Sequence, residues 1–270
     1  MFFFQCARAA ATVLLLACTC AAVGADTEPE SIDGRIGASI EREHAADHFD
    51  GVVLVARDDT VVYQRAIGFA NRRTRQIHRV DEPWRLASVS KQVAALLVMQ
   101  QLERGRLTLE TRLDKLLPNF RAPMAASISV RQLLQHTSGL PNPDASLKVD
   151  APAETIPPYY TARFKDDAGP VDAALEYCAR PQLTLPGTRF SYNNCDTLIV
   201  QAILERITGQ PYARLLEEAV TVPMKLDFWS MATATGVMPA LPIGYLDAHR
   251  IEPSFNLASF GASDALVGSA

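Results

Sequence analysis

The chain has 270 residues and a mass of 29.5 kDa, enough for one large domain or two small ones packed together. Hydrophobic residues make up 48% and charged residues 21%, which excludes a disordered chain, a collagen-like fibre and a small disulfide scaffold. With 30 acidic against 26 basic residues the net charge is −4, and no long Lys/Arg run suggests a nucleic-acid groove. No nucleic-acid partner is therefore expected.

Residues 9–24 are almost wholly apolar or small, follow Arg8, and end in Val23-Gly24-Ala25 before the polar Asp26-Thr27-Glu28-Pro29-Glu30. A run of about 16 residues falls short of the roughly 20 that span a bilayer. Its small-residue end is what a signal peptidase reads, so a signal peptide over 1–25 and a periplasmic or secreted domain over 26–270 are expected. Leu15-Leu16-Ala17-Cys18 offers a second reading, a lipobox with a lipid anchor on Cys18 and a membrane-anchored lipoprotein. No later apolar run approaches membrane length, so the mature chain is expected to have no membrane span. Cys6, Cys18 and Cys20 belong to the leader, leaving Cys178 and Cys195. Neither has the spacing of a zinc or haem site. In an oxidising periplasm they can pair across a loop of about 17 residues; two separate half-buried thiols are the plainer reading.

Residues 31–49 are charged and predict a helix with Ile36, Ile40 and His44 on one face. Two β-branched runs, 51–56 and 61–67, flank an Asp-rich turn and predict a hairpin whose first strand is buried on both faces. Ser90–Glu103 predicts a helix apolar nearly all round, in the middle of a domain, with Gly105 as its stop. Ser129 and Gln132 have capping-box spacing, and Gly139 and Pro141 are expected to end the helix that follows. Residues 141–160 hold five prolines and read as a long surface loop. Residues 197–208 predict a helix with Leu198, Ile199, Ala202, Ile203 and Ile207 inward. Gly209 follows it, and Pro211 is expected at the first position of the next helix. Beyond Leu226 the chain reads as loop, with no final element.

The tetrapeptide Ser88-Val89-Ser90-Lys91 lies where a loop meets the head of the apolar helix. Three residues apart on a helix places both side chains on one face, within reach of each other. Serine is a weak nucleophile until a neighbouring base takes its proton, and a lysine of lowered pKa can do so. The helix N-terminus also points N–H groups at a developing oxyanion. A lone Ser-x-x-Lys is equally an ordinary helix-cap serine. Tyr192-Asn193-Asn194, on a turn between Pro186-Gly187 and the next helix, adds a phenol that can relay a proton and an amide that can grip a carbonyl.

Together, Ser88-x-x-Lys91, Leu133-Leu134-Gln135-His136-Thr137-Ser138-Gly139-Leu140-Pro141 and Pro186-Gly187-x-x-Phe190-x-Tyr192-x-Asn194 resemble the serine β-lactamase and penicillin-binding-protein superfamily. The nearest branch is the class C β-lactamase-like group, with its D-Ala-D-Ala carboxypeptidases and carboxylesterases. The resemblance runs from about Asp33 onward, in the right order. It implies an α+β fold: an antiparallel sheet flanked by helices, plus a helical subdomain. It implies hydrolysis of an amide, ester or β-lactam through an acyl-enzyme, on a small-molecule, peptide or ester substrate, without metal or cofactor. Ser88 would be the nucleophile, Lys91 its base partner and Tyr192 the second proton-transfer residue. Asn194 would hold Lys91 and the substrate's amide, and the Ser88 N–H would be one oxyanion donor. His136 is expected to brace its turn, and His44, His48, His78 and His249 have no partners legible in the sequence. Asn193 stands where many relatives have Ser.

The family's third motif, Lys-Thr-Gly or His/Tyr-x-Gly on a late strand, has no counterpart after Tyr192. The expectation is a domain whose C-terminal strands are missing, inactive and poorly stable by itself. An inactive fragment or a non-catalytic binding homologue that keeps the fold is the alternative to a hydrolase.

Overall fold

The computed structural model describes residues 31–142, 172–232, 241–245, 251 and 257–270. The expected leader with Cys18, most of the proline-rich loop and His249 lie outside them. In chain order the elements are α1 (Ile32–Ala45), β1 (Gly51–Arg57), β2 (Thr60–Ile67), β3 (Phe69–Asn71), β4 (Gln76–Ile77), β5 (Trp84–Arg85), α2 (Ser90–Glu103), α3 (Leu113–Leu116) and α4 (Val130–Leu134). They continue with α5 (Asp172–Cys178), α6 (Asn194–Thr208), α7 (Tyr212–Leu216), α8 (Val222–Met224), β6 (Ser230–Met231), α9 (Gly261–Asp264) and β7 (Leu266–Gly268). Every strand pair is antiparallel, and with the helices this makes an α+β fold. No helix among the described residues is long and apolar enough to cross a membrane.

The hairpin closes on Asp58 and Asp59, both at positive φ (46° and 62°), the backbone that suits the twist of a two-residue hairpin turn. Its alternation gives one inward face. Tyr63 and Ile67 are buried, Tyr63 lies against Gly37 of α1, and Arg65 pairs with Glu41 at 2.6 Å. The other face carries Leu54, which is 38% exposed. The first strand, expected to be buried on both faces, is buried only at Gly51 and half-buried at Val52, Val53 and Val55, because β1 and β2 pair only with each other among the described residues and α1 packs on β2.

α2 has the predicted bounds but not the predicted all-round burial. Ala94, Leu97, Val98 and Gln101 are buried, whereas Leu96 and Met99 are 43% and 49% exposed. Helices α6, α7 and α9 pack on it. α6 is the centre of the core, with Leu198, Ile199, Val200, Ile203 and Leu204 all essentially inaccessible; Ala202 and Ile207 are only half-buried. It starts three residues earlier than the periodicity suggests, because Asn193 caps it by accepting the Asp196 N–H at 2.8 Å. Gly209, at φ 72°, ends it. Pro211 is the cap of α7 rather than its first residue.

Cys178 and Cys195 form a disulfide that ties α5 to the first turn of α6. Both are fully buried, which corrects the reading of two separate half-buried thiols. The segment beyond Leu226 is also corrected. β7 is buried along its whole length and is the middle strand of a sheet ordered β5-β7-β6. A three-residue strand is too short to leave a periodicity.

Candidate active site

Ser88 sits in the 3₁₀ turn Ala87–Val89 that leads into α2. Ala87 before it adopts φ 45°, a left-handed conformation that costs a non-glycine residue about 1–3 kcal/mol and tends to occur at functional sites. The bend presents Ser88 on the surface, while Ser90 turns inward and is 2% exposed.

The second part of the site is built by two laced segments. α4 forms on the predicted capping box: Gln132 N–H donates to Ser129 Oγ at 3.3 Å, and Ser129 N–H donates to Gln132 Oε1 at 2.9 Å. It ends at Leu134, not at Gly139, because His136 already turns into left-handed space at φ 54°. Gly139, at φ 77°, then passes under the chain at Thr184, where a Cβ would lie 2.1 Å from the Thr184 carbonyl oxygen. Leu183 N–H donates to Gly139 O (2.8 Å), Gly187 N–H to Thr137 O (2.7 Å) and Ser191 N–H to His136 O (2.8 Å). These bonds deliver Tyr192 to the mouth of the turn that carries Ser88.

There Lys91 Nζ donates to Ser88 Oγ at 2.9 Å, and Tyr192 Oη donates to the same oxygen at 2.6 Å. The ammonium also lies 5.0 Å from the centre of the Tyr192 ring, within cation–π range. The structure thus brings together Ser88, Lys91 and Tyr192. Asn194 follows two residues after Tyr192. It is the first residue of α6, is buried, and its backbone N–H donates to Asn142 Oδ1 at 3.3 Å. Lys91 also donates to Ser263 O at 3.0 Å and Asp264 Oδ1 at 3.4 Å.

Sequence reading missed two carboxylates. Asp264 Oδ1 accepts the Ser88 hydroxyl at 2.8 Å, and Asp264 Oδ2 lies 2.8 Å from Ser263 Oγ, which also donates to Phe260 O at 2.6 Å. Asp196, fully buried, accepts from Ser138 Oγ at 2.5 Å, from Asn193 Nδ2 at 2.9 Å and from His136 Nδ1 at 3.1 Å. Burial pushes the Asp196 carboxyl above the ordinary carboxylate range, against the pull of these hydrogen bonds. The His136 ring is edge-on to Phe190 and lies 4.6 Å from the Tyr192 ring, so Asp196 braces the support of Tyr192. A signal for it was present: Asn193 and Asp196 have the spacing of a helix cap and its third residue. For Asp264 there was none. Among the described residues the remaining histidines have partners: His44 pairs with Asp50, His48 with Glu43 and His78 with Glu82.

Residues 38–263 match the Beta-lactamase family. Esterase EstB of Burkholderia gladioli is 31% identical over 182 residues, which are 64% of this chain and 44% of the esterase. Penicillin-binding protein 4 of Amycolatopsis lactamdurans is 29% identical over 191 residues, 70% of this chain and 45% of that protein. The chain therefore spans less than half the length of either relative. The crystal structure of a D-amino acid amidase from Ochrobactrum anthropi SV3, complexed with L-phenylalanine amide, matches with a TM-score of 0.70 and 21% identity, over 86% of this chain and 65% of that one. At that identity the likeness establishes the fold alone. With a family match across most of its length and the motif residues gathered at one point, the chain belongs to the Beta-lactamase family.

Proposed function

We propose that this chain carries the nucleophilic site of a serine hydrolase that opens an amide, ester or β-lactam through an acyl-enzyme on Ser88. One observation carries the reading: Ser88 Oγ receives hydrogen bonds from both Lys91 Nζ at 2.9 Å and Tyr192 Oη at 2.6 Å. A serine hydroxyl needs neighbours that manage its proton and the charge left behind, and these two side chains supply that. The Ser88 N–H, at the head of α2, is assigned as one oxyanion donor, and Asn194 is assigned to the substrate's amide. The names of the relatives span the same chemistry: an esterase, a penicillin-binding protein and a D-amino acid amidase.

Labelling with a fluorescent penicillin and with a fluorophosphonate tests the reading. Label from both supports a penicillin-recognising hydrolase, and label from the phosphonate alone an esterase or amidase. Label from neither overturns the proposal in favour of a binding homologue that keeps the fold without the reaction.

The protein is further proposed to be exported, as a periplasmic or secreted form or as a lipoprotein anchored at Cys18. The buried disulfide between Cys178 and Cys195 supports this, since such bonds persist in oxidising compartments.

A further inference from the structure

Tyr192 meets the nucleophile by its tip alone. The residue is 44% exposed, and among the described residues its Oη bonds only to Ser88 Oγ, at 2.6 Å. Whatever holds the ring and the backbone of Tyr192 therefore aims the phenol, and a misplacement of about 1 Å near reacting atoms costs about 10²-fold in rate. The ring lies against His136, with 4.6 Å between ring centres. The backbone is gripped on both sides. On one side Ser191 N–H donates to His136 O at 2.8 Å, and Ser191 O accepts from Asn193 Nδ2 at 3.0 Å. On the other, Asn193 Oδ1 caps α6 by accepting the Asp196 N–H at 2.8 Å.

Both supports lead to one side chain. Asp196 Oδ2 is hydrogen-bonded to His136 Nδ1 at 3.1 Å and accepts from Asn193 Nδ2 at 2.9 Å. Asp196 Oδ1 accepts from Ser138 Oγ at 2.5 Å. Ser138 Oγ itself accepts the Leu140 N–H at 3.1 Å, which leaves its single proton for Asp196, and the two amide protons of Asn193 serve Ser191 O and Asp196. Asp196, Ser138 and Asn193 are all fully buried. The cap of α6 uses only the Asp196 backbone N–H, so capping does not account for the carboxyl group. Burying such a group is costly unless its hydrogen bonds are made, and the bonds made here run to the supports of Tyr192. The frame around them is fixed. Cys195, next to Asp196, pins this turn of α6 to Cys178. His136 stands at φ 54°, a backbone that a non-glycine residue keeps only where its surroundings determine it.

We propose that Asp196 is a positioning residue for the reaction, acting through His136 and Asn193 to hold the Tyr192 phenol against Ser88 Oγ. This rests on the reading of Ser88 as the nucleophile. Among the described residues Asp196 makes no hydrogen bond to Ser88, Lys91 or Tyr192, so it has no direct part in the chemistry. Its influence on the rate passes through the place of the Tyr192 hydroxyl and is lost when that hydroxyl is absent. A carboxyl group that served the fold alone would act to the same extent whether or not residue 192 carried a hydroxyl.

The test is a double-mutant cycle on covalent labelling of the full chain by a fluorophosphonate at neutral pH. The limiting rate and the half-saturating concentration are read separately. Asp196→Asn keeps the shape but turns an amide NH₂ toward a set of donors, so at least one of the bonds is lost. Its limiting rate is expected to fall about tenfold or more, with the half-saturating concentration little changed. In a Tyr192→Phe background the same substitution is expected to change the rate less than about threefold. His136→Asn tolerates the left-handed backbone but lacks the ring. It is expected to show the same dependence on the Tyr192 hydroxyl, and it decides the matter if Asp196→Asn does not fold. A variant as fast as the wild type, or equal losses with and without the hydroxyl, overturns the proposal. No label on the wild-type chain would instead overturn the reading of Ser88 as nucleophile, and this inference with it.

Discussion

Ser90 Oγ accepts the N–H of Leu266 at 3.2 Å while donating its own proton to Ala87 O at 2.6 Å. The second serine of the Ser-x-x-Lys motif thus fastens β7 to the turn that holds the first. Its hydroxyl is committed and buried, which leaves Ser88 as the exposed serine of the motif. Ser88→Ala is expected to abolish covalent labelling with the fold intact. Ser90→Ala is expected to leave the label on Ser88 while costing about 1–3 kcal/mol, because the buried Leu266 N–H loses its acceptor. Peptide mapping and denaturant melts check both, and a label found on Ser90 would overturn the assignment.

Lys91 and Tyr192 reach the same oxygen from separate parts of the chain. Lys91→Ala and Tyr192→Phe are each expected to lower the acylation rate by about 10²-fold or more. Rates near wild type in both variants would show that these contacts do not serve the reaction.

The disulfide between Cys178 and Cys195 closes a loop across a sequence separation of 17. A cross-link over a loop of that size stabilises a fold by about 3 kcal/mol. Cys178→Ala together with Cys195→Ala is expected to lower the unfolding free energy by about that amount. Reductant is expected to shift the melt of the wild-type chain and leave that of the double variant unmoved.

Asp196 gives a pH dependence with a definite sign. Its carboxyl is held above the ordinary value of 3.8 by burial, opposed by hydrogen bonds from His136, Ser138 and Asn193. A carboxyl that binds its proton more tightly folded than unfolded stabilises the native state fully below the unfolded pKa. That contribution is lost as pH rises through the raised folded value. The stability advantage of the wild type over Asp196→Asn is therefore expected to shrink as pH rises above the unfolded value of about 4. Urea unfolding across that range checks it, and an advantage that grows with pH would contradict the direction.

Export is expected to remove the first 25 residues, so that intact-mass measurement of the periplasmic form gives a start at Asp26. A mass corresponding to a lipidated Cys18 would favour the anchored form.

Local chemistry makes much of this protein legible in its sequence. The Asp58-Asp59 turn, the bounds of α2, the capping box of Ser129 and Gln132 and the stop at Gly209 all follow from forces acting within a few residues. Ser88 with Lys91 is legible for the same reason, since one turn of helix brings them together. Tyr192 is legible only through its family motif, because the bonds from the segment after Leu183 to His136, Thr137 and Gly139 bring it to Ser88. What periodicity overstates is burial. Apolar residues at Leu54 and Leu96 say that a partner is favourable, but the elements packed beside them decide whether one is present. Only the tertiary structure joins Asp264 to Ser88 across 176 residues, or Asp196 to Ser138 across 58. A carboxylate in sequence carries no mark of its eventual neighbours, and its effect on a hydroxyl is felt only at hydrogen-bonding distance. The sequence by itself determined α1, α2 and α6, the hairpin turn and the Ser-x-x-Lys pair; the packing of α9 against α2 decided what stands beside the serine.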